Sequence, residues 1–272
     1  MYGKVVIKKV MLLSLLFYFY ITFISWSFGS LFCRLLNNGC RLKSVSNLGF
    51  SVTCLSGFVL ITSFASLISL IAGIDTIWNH FFLISISVLT LLSKKTTLNI
   101  GIDIFNVLAP PIRILIGLCI LLILVISVWK IAHPDTLGYH QQIIQSIEEV
   151  GIIKAFATEQ IRYGLQSNWF VACALFSFKF LGINALTFIN ITLLIWAIIF
   201  IAEKINNHYS GAIKANVWQS LPWLGLLVIA FWDYTQIRLT ATSASPGYIG
   251  AIFISCIFYL YLNHEKSYSL YV

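Results

Sequence analysis

Apolar residues run almost unbroken along this chain, and the polar residues that interrupt them gather into a few stretches. Apolar runs of about 17 to 25 residues with few charges read as membrane-crossing helices. The pattern predicts spans over residues 10–32, 48–72, 77–93, 114–129, 183–202, 217–232 and 248–262. Residues 169–181 are apolar but short and contain Lys179, which fits an interfacial or re-entrant segment as well as a crossing. The expected architecture is therefore all-α, a polytopic bundle of seven or eight spans. Residues 1–112 read as an N-terminal set of transmembrane helices, and residues 113–272 as a core built around the polar loop 132–168. That loop is the longest polar interruption and holds Asp135, Glu148, Glu149 and Glu159, four of the nine acidic residues. A long loop between apolar segments usually carries function, because the spans do little beyond holding it.

Composition agrees with the pattern. Of the 272 residues 59% are hydrophobic and 10% charged, against about 25% charged in soluble domains. No cleaved signal peptide is read at the N-terminus: the run after Lys9 is long enough to span, and no small-residue cleavage site follows. The net charge of +8 sits on lysines and arginines at the ends of apolar runs. That is the placement of cytoplasmic flanks, so nucleic acid is not an expected partner. With Arg34, Arg41, Lys43, Lys94, Lys95, Arg113, Lys204, Lys214 and Lys266 in the cytoplasm, the loop 132–168 lies outside. The loop 233–246 joins it there if residues 169–202 make one net crossing, while Lys4, Lys8 and Lys9 fall on the opposite side from the rule. The six cysteines lie singly, without metal-ligand spacing, and read as small apolar packing residues.

Within the loop, Ile143, Ile144, Ile147 and Val150 recur at helical spacing opposite His140, Gln141, Gln145, Glu148 and Glu149. Such a stripe suits a helix lying on the membrane surface, ended by Gly151. Asp135 would stand at the outer mouth of the fourth span, where a carboxylate can take a proton from a substrate at the membrane boundary. Asp135 or Thr136 equally well caps the helix, and Asp135 with His140 could share a metal one turn apart. Glu148 and Glu149 read as a solvated face. Arg162 could grip a phosphate bidentately, or anchor a headgroup or pair with Glu159. Trp169-Phe170 marks the membrane interface, and Pro110-Pro111 reads as a helix stop.

The run PDTLGYHQQIIQSIEEVGIIKAFATEQIRYGLQSNWF resembles the first extracytoplasmic loop of bacterial multispanning proteins related to the GT-C glycosyltransferases. The matching positions are Asp135, Tyr139, His140, Glu148, Glu149, Gly151, Arg162, Gly164, Ser167, Trp169 and Phe170. Ser146 stands where that pattern carries tryptophan, and Ser243-Ala244-Ser245-Pro246 is similar to a Ser-Pro-rich stretch. The resemblance implies a GT-C-like fold in the bacterial cytoplasmic membrane. It also implies transfer of a sugar from a polyprenyl-phosphate donor to an extracytoplasmic acceptor, with membrane lipid as the other partner. Asp135 would be the catalytic base, with Tyr139, His140, Arg162 and Ser167 binding substrate; a divalent metal is compatible with that chemistry. The alternatives are a truncated or non-catalytic membrane protein, an O-antigen polymerase or ligase-like protein, and a transporter, for which Lys179 and Asn190 are thin support.

Overall fold

The computed structural model describes residues 2–40, 49–93, 110–127, 131, 133–151, 168–181, 185–210, 217–232 and 234–268. Among them every regular element is helical. In chain order these are α1 (Tyr2–Cys40), α2 (Phe50–Ser69), α3 (Ile77–Leu92) and α4 (Pro110–Ser127). A π-helical turn (Thr136–His140) then leads into α5 (Gln141–Val150), followed by α6 (Asn168–Leu175) and a 3-10 turn (Lys179–Leu181). The chain closes with α7 (Phe188–Ser210), α8 (Val217–Trp232), α9 (Tyr234–Ala241) and α10 (Gly247–Tyr268).

Four of the described helices carry stretches long and apolar enough to cross a membrane: Leu12–Asn38, Phe50–Ser69, Pro110–Ser127 and Phe188–Asn206. Ile77–Leu92, Asn168–Leu181 and Gly247–Phe258 are apolar but shorter. Each of the four holds at least about 18 residues, close to the thickness of a hydrocarbon core at 1.5 Å per residue. Pro110-Pro111 does not stop a helix but opens α4. The first helical turn has no partners for its N–H groups, so proline loses nothing there and its fixed φ favours the start.

The centre of the bundle is α7, whose apolar stretch is 89% buried. It runs alongside α1: Phe17 stacks on Phe188 and Trp196 Nε1 donates to Thr22 Oγ1. Small residues let α1 and α2 pack most closely of all. A methyl group at Gly57 would collide with the Ser25 carbonyl, and one at Gly29 with the Thr53 carbonyl; close approach through small residues is how helices associate in lipid, where no hydrophobic force draws them together. α3 runs parallel to α1, with Tyr20 Oη and His80 Nδ1 2.7 Å apart and Arg34 donating to Ser93 Oγ.

These directions give the bundle two ends. At the far end, the Glu203 carboxylate of α7 accepts a hydrogen bond of 3.1 Å from the Phe50 amide at the start of α2. At the other, the loop end, the α2–α3 turn, α5 and residues 243–246 meet. α6 also belongs to the loop end. Asn168 lies by Ser66 in the last turn of α2, and Lys179 returns to Glu149. The 3.1 Å bond from Phe176 to Ala172 ends the helix, and the Ala185 amide closes the return on the Ser177 carbonyl at 2.9 Å. Residues 168–181 thus form a hairpin whose two ends both lie at the loop end.

The helix expected on the lipid surface is instead docked on protein. Ile143, Ile144 and Ile147 are 3%, 0% and 0% exposed, and α5 packs against α6. Val150, assigned to the same stripe, is 58% exposed. Gly151 does end the helix, at φ +82°, in a backbone conformation side chains disfavour.

Candidate functional site

The start of the loop helix is tied down by neutral hydrogen bonds. Thr136, fully buried, donates from Oγ1 to Ser243 Oγ at 3.2 Å and accepts from the Ala244 amide at 3.3 Å. Ser243 Oγ accepts the Ser245 amide at 2.7 Å, and Trp169 Nε1 donates to the Ala244 carbonyl at 2.9 Å. From below, Asn190 Nδ2 donates to the Thr240 and Ser245 carbonyls at 3.1 and 2.8 Å. Residues 243–245 form an irregular strap whose backbone groups are met by side chains from three elements, as buried polar groups require.

Asp135 stands one residue before this joint, partly exposed, and its side chain makes no capping hydrogen bond. The cap alternative is therefore set aside. The helix starts without it because the π turn continues directly into α5: the Gln141 amide reaches back to the Thr136 carbonyl. His140 is buried (4% exposed) and packs its ring 5.0 Å from Phe170, 4.3 Å from Tyr139 and 5.9 Å from His133. Burial pushes the His140 imidazole below its usual value; His133 adds to that and Asp135 opposes it. The Nδ1 atoms of His133 and His140 are both buried without a hydrogen-bond partner. Among the described residues no three His, Cys, Asp or Glu side chains gather as a metal would require.

Beside the strap lies an apolar groove of about 500 Å³. Its walls are α2 (Phe58, Val59, Thr62), the hairpin (Trp169) and α10 (Phe253, Ile257), with Leu193 of α7 at its floor. Asp135 does not line it. The two are joined through the strap, because Trp169 at the head of the groove and Thr136 beside Asp135 both bond Ala244.

A second constellation sits at the other end of α5. Lys179 Nζ lies 2.7 Å from Glu149 Oε1 and 3.5 Å from Glu148 Oε2. The Phe180 amide donates to Asp75 Oδ2 at 2.9 Å, while Asp75 Oδ1 is buried without a partner. Glu148 is only 5% exposed, so the solvated pair read from the sequence is one buried and one exposed glutamate. Burial raises the Glu148 carboxyl above the usual range; Ser177 and Lys179 oppose the rise and Asp75 reinforces it. Asp75 is raised by burial, against the Phe180 amide and Lys179. Lys179 is raised chiefly by its hydrogen bond to Glu149.

Of the five residues singled out in the sequence, Asp135, Tyr139 and His140 come together on one turn, whereas Arg162 and Ser167 lie outside the described residues. Asp75, Thr136, Asn190 and Ser243 were not foreseen as parts of a site. The available signal was cost: an aspartate in a short turn between apolar helices, and a lysine and an asparagine inside apolar runs, are expensive unless they find one another.

A family model described as a domain of unknown function (DUF8201) matches residues 11–272, so the chain belongs to that family. No curated protein and no solved structure matches it.

Proposed function

We propose that this member of the DUF8201 family is a multi-pass protein of the bacterial cytoplasmic membrane. In this reading its loop end transfers a sugar from a polyprenyl-phosphate donor to an extracytoplasmic acceptor. The observation that carries the reading is the shared strap. The same three residues anchor the turn bearing Asp135 and the tryptophan at the head of an apolar groove of about 500 Å³. An isoprenoid tail in that groove would bring its phosphate to the level of Asn168 and Trp169, next to the turn with the carboxylate.

Asp135 takes the proton from the acceptor hydroxyl as that oxygen bonds to the anomeric carbon. The bond from carbon to the lipid phosphate breaks, and the phosphate leaves with the electron pair. Arg162 is the cation assigned to that developing charge by resemblance. His140, whose charged form burial disfavours, shapes the turn with Phe170. A positioned base contributes about 10²–10⁴-fold. Membranes carrying the full chain, given labelled polyprenyl-phosphate sugar, should transfer label, and Asp135→Asn should lower the rate by about that factor. Equal transfer by variant and wild type removes the base, and no transfer by the wild type removes the activity.

A second reading, a non-catalytic membrane protein, is favoured by the burial of His140 and Thr136, whose contacts are those of a packing joint. In that case Asp135→Asn changes neither stability nor any membrane activity.

A further inference from the structure

The first limb of the hairpin lines the groove through Asn168, Trp169 and Ala172, and its return limb is held by charge. Lys179 reaches Glu149 and the buried Glu148, and the next residue's amide is bound by Asp75. Three carboxylates, from α5 and the α2–α3 turn, thus face one ammonium from the hairpin, and Ser177 and Cys173 of the hairpin complete the surroundings of Glu148. With all of them ionised the cluster holds an excess of negative charge beside a side chain that is 5% exposed, and like charges at such range repel strongly away from water.

The two sides of this cluster differ in rigidity. The end of α5 is locked to the α2–α3 turn by backbone contact. A methyl group at Gly73 would run into the Glu148 and Glu149 carbonyls, and one at Gly151 into that of Ser69. The hairpin side is strained: Phe178, just ahead of Lys179, holds φ at +56°. A bulky side chain adopts that left-handed conformation only when its surroundings impose it.

We propose that Asp75, Glu148, Glu149 and Lys179 form a proton-operated latch that keeps the hairpin shut against α5 and loosens it as the pH rises. The fixed partner is α5 with its turn; the moving partner is residues 176–181. The latch acts on the return limb and not on Asn168, Trp169 and Ala172, the hairpin residues that line the groove, so the inference does not depend on sugar transfer. The sign follows from Glu148. Its protonated form is favoured only in the closed arrangement, so closure is fully stabilised below the ordinary carboxylate value. That stabilisation is lost as pH climbs to the raised value.

The test is hydrogen exchange of the full chain in lipid nanodiscs between pH 5 and pH 8, with intrinsic rates divided out. Protection of residues 176–181 is expected to fall about tenfold over that interval, the equivalent of one pKa unit. Protection around Trp196 in α7 should stay constant. Glu148→Gln should keep the hairpin protected at both pH values, and Lys179→Met should lower its protection more steeply with pH than in the wild type. Asp75→Asn, which leaves the Glu148 side chain in place, should reduce the fall. A wild-type hairpin whose protection is independent of pH overturns the proposal. So does a fall of the wild-type size that persists in both Glu148→Gln and Asp75→Asn.

Discussion

The two ends of the loop helix are fastened by different chemistry. At its start, Thr136 is held to Ser243 and Ala244 by neutral hydrogen bonds that Asn190 and Trp169 extend. At its finish, Glu148 and Glu149 are held by a lysine that is 43% exposed. Neutral bonds inside a low-dielectric region fix geometry at every pH. An ion pair fixes it only while its protons stay where they are. A single helix therefore carries a permanent joint beside the candidate base and a conditional one at the return limb of the hairpin.

The comparison breaks first if the stripe between the two joints is not truly enclosed. Ile144→Ala and Ile147→Ala should each destabilise the protein by about 2–5 kcal/mol, the usual cost of emptying a packed site, measured by chemical unfolding in detergent. Losses well under about 1 kcal/mol would return the helix to the lipid surface. Next comes the ionic joint. Lys179→Met strands the buried Glu148 and should cost about 1–2 kcal/mol near neutral pH. That is below the cost of a fully buried pair because the lysine is partly in water, and the cost should shrink on acidification as Glu148 takes up a proton.

The neutral joint should respond less and without pH dependence. Thr136→Val is expected to cost about 1 kcal/mol, the same at pH 5 and pH 8 by thermal unfolding. The smallest effect belongs to Glu149→Gln. This carboxylate is 65% exposed, so its loss should cost under about 1 kcal/mol and vanish in high salt.

Sequence made the apolar elements legible because a run of hydrocarbon has one reading in a membrane context; α2, α4 and α7 fall close to their expected places. α3 also falls on its expected range, although its apolar stretch and that of α10 are shorter than those of the four helices long enough to cross a membrane. The amphipathic stripe was visible, but its destination was not, since Ile144 and Ile147 look alike whether they meet lipid or the hairpin. Periodicity also put Glu148 on the polar face. The structure buries it because Lys179 and Ser177, some thirty residues on, come back to meet it. Asp135 and His140 could be grouped from spacing, and Tyr139 joined them through the resemblance, whereas the strap at 243–245 could not be foreseen, because it depends on a contact across 107 positions.

The carboxylate that Glu203 extends to the Phe50 amide has a consequence for biogenesis. A helix usually seals its first turn with a residue next door; here the seal sits 153 positions downstream. While the chain emerges from the ribosome, α1 and α2 can already nest through their glycines, but the opening amide of α2 waits unsatisfied until α7 has been made. The order of synthesis thus leaves the earliest pair of helices provisional, and the arrival of the central one makes them final.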